Sequence, residues 1–202
     1  MGKIFCITGK SASGKDAVYT RLLEDIGLGL EPYVGYTTRP MRSGEQNGVE
    51  YFFTTKEELC ALEAAGKVIE KRTYHTVYGD WSYYSVDSEN TDLENHDYLY
   101  IGTLESFIKI RDYYGKGRVI PVYIEVEDGL RLMRAIKREQ QQKVPGYKEM
   151  CRRFLLDSED FSEEKLSAAG ITRRFQNTDF EACVKEITEY ISGCKNACPE
   201  KI

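Results

Sequence analysis

An apolar run from Ile4 to Ile7 opens directly into GKSASGKD, residues 9 to 16. No other stretch constrains the fold as much. Gly9, Gly14 and Lys15 have the spacing G-x-x-x-x-G-K, and beyond them Val18, Leu22 and Ile26 recur at helical spacing, predicting a helix from about 14 to 26. Strand, glycine turn and helix in that order form the first unit of a parallel α/β sheet. Such a turn points backbone N–H groups inward, and the helix start adds its positive end, so the loop is a cradle for phosphate. Lys15 is placed to reach the β- and γ-phosphates of a nucleotide. Gly9, Lys10, Ser11, Ala12, Ser13, Gly14, Lys15 and Asp16 are therefore the expected nucleotide-phosphate site.

Asp16 stands where this motif normally carries Ser or Thr, whose hydroxyl binds Mg²⁺. A carboxylate is also an oxygen ligand that suits Mg²⁺. Beside phosphates it is repelled unless a cation lies between. Asp16 is thus a candidate metal ligand that makes the site more metal-dependent. The other reading is an acid that favours the helix N-terminus.

The remaining chain continues the alternation. Strands are expected at 97–102 and 118–126, each followed by a helix, the second running to about 142. QQQKVPG, residues 140–146, is a break, followed by a helix from 147 to about 164 and a strand near 171–176. Thr178-x-x-Glu181 opens a last helix to about 192. Between the first two parallel strands, residues 35–90 form a β-rich insertion: YFFTT, a helix opened by Thr55-x-x-Glu58 and stopped at Gly66, then two or three strands. The fold class is α/β, a parallel sheet with helices on both faces.

With 202 residues and a formal charge of −5, the chain is expected to be one domain that does not bind nucleic acid in general. No apolar run approaches the ~20 residues of a membrane span, and the glycine turn comes too early for a signal peptide. The six cysteines, at 6, 60, 151, 183, 194 and 198, fit reduced thiols in the cytoplasm, with Cys6 and Cys183 as buried residues. Cys194 and Cys198 could pair or chelate. His75 and His96 lack ligand-spaced partners, so a histidine metal site is not expected.

TTRPMRSGEQNGVEYFF, residues 37 to 53, resembles the acceptor-binding segment of guanylate kinases, close to T-T-R-x-x-R-x-G-E-x-N-G-x-D-Y-x-F. Thr37, Thr38, Arg39, Arg42, Gly44, Glu45, Asn47, Gly48, Tyr51 and Phe53 match, and Glu50 replaces the aspartate. Arg39 and Arg42 can converge on one dianionic monophosphate, and Tyr51 can add a phenolic hydrogen bond. The resemblance runs from residue 3 to about 192 and implies a P-loop kinase fold that uses ATP and Mg²⁺ to phosphorylate GMP. It implies a core of residues 1–34, 97–137 and 165–192, an acceptor-binding subdomain of 35–96, a helical lid of 138–164 and a tail of 193–202. It also implies that Tyr78, in VYGD, is a second phosphate tyrosine and Glu70, in VIEKR, the acid that reads guanine. Arg134 and Arg138, four apart on one helix face, resemble the family's first lid arginines; Arg153 resembles the last, with Arg152 as the register alternative. Lys15, Arg138 and Arg153 are the expected catalytic residues, and Arg134 and Asn177 would help hold ATP.

Three positions depart from the family around the acceptor base. Gly35 replaces a serine, Asp80 replaces Ser or Thr, and YIGTLES lacks the family's aspartates, with Gly102 there and Glu105 a few residues late. These departures leave another nucleoside monophosphate or a phosphorylated sugar as alternative acceptors. A non-enzymatic guanylate-kinase-like binding module is the other alternative.

Overall fold

In a computed structural model of the chain, residues 1–76 and 79–196 are described. Strand β1 (Ile4–Thr8) is buried along its whole length, which explains why it reads as one apolar run rather than an alternation. Strands β2 (Leu30–Pro32), β7 (Asp97–Ile101), β8 (Val119–Glu125) and β9 (Arg174–Gln176) complete a sheet of order β2-β7-β1-β8-β9, parallel at every pairing. Successive β1 side chains point to opposite faces. Phe5 and Ile7 pack with Val18 and Leu22 of helix α1 (Lys15–Leu23) and with Ile187 and Ile191 of helix α7 (Phe180–Asn196). Ile4 and Cys6 pack on the other face with Phe107 and Ile110 of helix α3 (Leu104–Tyr114). The α/β class with helices on both faces is as the sequence indicates.

The second sheet has the order β4-β3-β6-β5, from β3 (Tyr36–Thr37), β4 (Phe52–Phe53), β5 (Val68–Thr76) and β6 (Gly79–Val86). β5 and β6 form a long antiparallel pair from Val68↔Val86 to Thr76↔Gly79. Helix α2 (Lys56–Ala64) has the expected capping box of Thr55 and Glu58. Helices α4 (Asp128–Gln140), α5 (Tyr147–Asp160) and α6 (Glu163–Ala168) fill the stretch between β8 and β9.

Several boundaries differ from expectation. Helix α1 stops at Leu23, and Ile26 is 94% exposed in the following turn. Leu30–Pro32 is a sheet strand, so the β-rich insertion enters after the second parallel strand in chain order, not the first. The helix expected from 147 to 164 is two helices. Phe161 leaves helical geometry to stack on Tyr123 (ring centroids 5.8 Å) in the core, and Ser162 caps α6. Asp179, not Thr178, accepts the Ala182 N–H at the start of α7, which continues to Asn196. Cys6 and Cys183 are buried free thiols as expected; Cys198 lies outside the described residues, so its pairing with Cys194 is not addressed.

Candidate functional site

The glycine loop joins the carboxyl end of β1 to α1. Gly14 is required twice over. Its φ is +85°, and a Cβ there would lie 2.5 Å from Asn177 Nδ2. Asn177 donates to the Ser13 carbonyl (2.8 Å), and its own N–H donates to the Glu125 carbonyl of β8 (2.9 Å). Arg134 in turn donates to the Asn177 carbonyl at 2.9 Å. Both residues expected near ATP thus brace the loop from behind. Ala12, at φ 60°, is the one non-glycine residue with positive φ among those described, so the loop stores backbone strain.

Lys15 begins α1 with its amine 3.7 Å from Asp16 Oδ2. The Asp16 side chain is 85% exposed. Gly14 is the N-cap and no side chain caps the helix, so Asp16 does not act as a hydrogen-bonding cap. The side chain of Lys10 turns away from the loop mouth to Asp128, 3.5 Å distant. The Ser11 N–H donates to Asp157 Oδ2 of α5 at 2.7 Å.

A residue that sequence reasoning missed organises this region. Arg131 is fully buried; it donates to the Ser11 carbonyl (2.8 Å), to Asp128 Oδ1 (2.8 and 3.0 Å) and to Asp157 Oδ2 (3.3 Å), and lies over the Phe154 ring. Nothing in LRLMR marks it out, because arginines are usually exposed.

The acceptor-side residues are only partly brought together. Arg39 is 3% exposed and donates to both oxygens of Glu45 (2.8 and 2.9 Å) and to the Pro40 carbonyl (2.8 Å), with Tyr51 and Phe53 on its flanks. Arg42 is exposed and contributes its backbone N–H to Glu45. This arginine bonding holds the Glu45 carboxyl down to about 2. Arg39 does not present a free fork in this conformation. Tyr51 packs edge-on against Tyr83 (5.5 Å), and burial raises its hydroxyl's pKa. Tyr78 lies outside the described residues. Among the described residues, Tyr83, not foreseen, is the tyrosine set beside Tyr51.

Glu70 is buried on β5. Its Oε1 accepts from Ser85 (3.1 Å) and its Oε2 from Arg72 Nε (3.1 Å). Gly35 lies by Tyr51 with room for a side chain, whereas a Cβ on Gly102 would lie 2.4 Å from the Tyr100 ring. Tyr100 therefore fills the space that the missing aspartate would need. Asp80 pairs with His75 (2.7 Å) at an exposed position, and Glu105 pairs with Lys109 (2.7 Å).

Two cavities meet here. One, of about 610 Å³, is lined by Tyr33, Gly35, Tyr36, Glu70, Ser85 and Tyr100 among others. The other, of about 1000 Å³, is lined by Gly9, Ser11 and Lys15 on one side and β5 on the other. Asp16, Tyr51, Arg72, Tyr83 and Ile101 line both. An anion bound at the loop and a ligand lodged beside Glu70 would face each other across this shared wall.

Arg138, Arg152 and Arg153 pair with carboxylates of their own helices. Arg138 is exposed, 4.0 Å from Glu139. Arg152 (2.6 Å) and Arg153 (2.9 Å) both donate to Glu149 Oε1, so the two register alternatives share one partner. Among the described residues no His, Cys, Asp and Glu cluster could hold a metal unaided, and no helix is long and apolar enough to cross a membrane.

The guanylate kinase family model matches residues 1–192. A guanylate kinase of Porphyromonas gingivalis is 29% identical over 195 residues, spanning 95% of this chain and 97% of that one. A guanylate kinase of Neisseria gonorrhoeae is 41% identical over 91 residues, 45% of this chain and 42% of that one. The crystal structure of guanylate kinase from Anaplasma phagocytophilum superposes with a TM-score of 0.61 at 21% identity, covering 97% of this chain and 87% of that one. The chain belongs to the guanylate kinase family, a family of kinase phosphotransferases.

Proposed function

We propose that the protein transfers the γ-phosphoryl group of ATP to GMP, giving ADP and GDP, in the cytoplasm. The observation that carries this reading is the shared wall of the two cavities, which sets a buried carboxylate, Glu70, at one end and the phosphate loop at the other. A phosphate oxygen of GMP attacks the γ-phosphorus, and the bond to the β–γ bridging oxygen breaks with its electron pair left on ADP. Transfer of this kind asks for positioning and charge stabilisation, not a covalent intermediate. The loop amides and Lys15 hold the β- and γ-phosphates. Arg138 and Arg153 are exposed on the lid helices and would reach the transferring group after exchanging their present partners. Arg134 and Asn177 brace the loop. Arg39, Arg42, Tyr51 and Tyr78 are proposed as the acceptor-phosphate clamp, and Glu70 as the acceptor of guanine N–H donors.

Mg²⁺ fits the residues present. It is usually held by one or two carboxylates together with substrate phosphates and waters, and Asp16 is an exposed carboxylate on the shared wall. When bound, Mg²⁺ neutralises charge on the β- and γ-phosphates.

A second reading, another nucleoside monophosphate or a phosphorylated sugar as acceptor, is favoured by one observation: Glu70 is already engaged by Arg72 and Ser85. Phosphotransfer from ATP and Mg²⁺ to GMP, AMP, CMP, UMP and a sugar phosphate, compared by kcat/KM, separates the two. Preference for GMP supports the first reading, and preference for any other acceptor supports the second.

A further inference from the structure

We infer that Arg72 is an acceptor-phosphate ligand, supplying the charge that Arg39 does not present while Glu45 holds it. This rests on the proposed reading of the site as one that accepts a monophosphate. Glu70 and Arg72 are two residues apart on β5, so they share a face; their backbones are roughly 7 Å apart along the strand, and their charged ends touch at 3.1 Å. Glu70 lines the inner cavity alone, whereas Arg72 also lines the cleft that holds Gly9, Ser11 and Lys15. Charge therefore runs from negative at the inner end to positive at the end facing the phosphate loop. A nucleoside monophosphate whose base presents N–H donors has the complementary polarity, with a dianion at its other end.

The guanidinium of Arg72 has capacity for this. It carries five N–H donors. Nε donates to Glu70 Oε2 at 3.1 Å, while Nη2 reaches Glu70 Oε1 at 3.5 Å and Nη1 reaches Thr103 Oγ1 at 3.3 Å. The last two are long, which marks them as weak bonds that a phosphate would displace. The side chain is 19% exposed, against 3% for Arg39, whose terminal nitrogens have three bonds at 2.8–2.9 Å. Tyr83 stands directly across the ladder from Arg72, with Tyr51 against it, so two phenols flank the same point. Glu70 is the one carboxylate paired with Arg72 among the described residues.

The test compares binding of GMP with guanosine, and AMP with adenosine, by calorimetry in wild type, Arg72→Met and Arg72→Lys, with ATP binding as the control. The ratio of nucleoside to nucleotide Kd isolates the phosphate. Arg72→Met is expected to cut that ratio by about 100-fold for the preferred base, from the loss of a bidentate charged contact. Guanosine affinity should move less than about threefold, and ATP affinity should hold. Arg72→Lys, which keeps the charge but not the fork, should lose roughly tenfold and covers the case in which the methionine variant fails to fold. Equal losses for nucleoside and nucleotide would overturn the inference and make Arg72 a positioning residue for Glu70. An unchanged ratio in both variants would also overturn it. Failure of the underlying reading is seen separately, in wild type alone, as no gain in affinity from the phosphate of any monophosphate; that result removes the inference with it.

Discussion

Replacing Arg131 by methionine tests how the phosphate loop is held in shape. Methionine keeps an unbranched stem over Phe154, so the packing loss is small. The pair with Asp128 is half exposed and contributes only ~0–1 kcal/mol. The remainder is buried. The Ser11 carbonyl loses a charged donor at 2.8 Å, worth about 1.5–3 kcal/mol, and Asp157 keeps the Ser11 N–H but loses its counter-charge. Together these give a destabilisation of roughly 3–5 kcal/mol, the range for breaking a buried ion pair from one side. At ~2–4 °C per kcal/mol for a chain of this size, the Tm should fall by about 10 °C. Urea and thermal unfolding measure this directly. The double variant Arg131→Met/Asp157→Leu should be more stable than Arg131→Met alone, because the stranded acid is gone. A cost below about 1 kcal/mol in the single variant, or a double variant whose cost is the sum of the two singles, refutes the reasoning.

Lys15→Met removes the charge proposed to hold the β- and γ-phosphates and should lower kcat by at least ~100-fold; near-normal turnover would detach this loop from catalysis. Asp16→Ala should raise the Mg²⁺ concentration for half-maximal rate, since the carboxylate is exposed and caps nothing; an unchanged requirement means that it does not serve the metal. Bonding to Arg39 and to the Arg42 N–H holds the Glu45 carboxyl at about 2, below the ~4.3 expected when unfolded. A group depressed on folding stabilises above its unfolded pKa and loses that contribution as pH falls through its folded value. The stability difference between wild type and Glu45→Gln should therefore be constant from pH 7 to 5 and vanish between about pH 4 and 2; a difference that grows on acidification contradicts the assignment.

What the sequence reveals and conceals follows from burial. β1, the glycine loop and the capping box of α2 are legible because each is decided locally, by an apolar run, a spacing or a four-residue pattern. Leu30–Pro32 escapes because it has three residues and ends in proline, which an edge strand tolerates and a sequence pattern penalises. The break between α5 and α6 combines tertiary packing with a local cap: Phe161 stacks on Tyr123, and Ser162 accepts from the Lys165 N–H to open α6. In the candidate site, Lys15 and Asp16 are suggested by motif position and Glu70 by the family resemblance. Arg131 and Arg72 are not, since their importance comes from partners distant in sequence or on another element. Glu45 was within reach, three residues beyond Arg42, but only the folded turn shows that it engages Arg39 so fully. Tyr83 stayed hidden because its place beside Tyr51 is set by the pairing of β5 and β6, not by a local motif.

In the proposed reaction, the two adjoining cavities bring the γ-phosphate of ATP to a guanine nucleotide whose base is read by Glu70. Its most direct test is kcat/KM for GMP and AMP, with ATP and Mg²⁺, in wild type and Glu70→Gln. Guanine presents N1–H and N2–H₂ to a carboxylate, whereas adenine presents an acceptor at N1. An amide keeps one acceptor but turns an NH₂ toward a donor, so GMP use should fall by about 10²-fold or more while AMP use, poor in both, stays the same. Equal GMP activity in the two proteins would contradict the account.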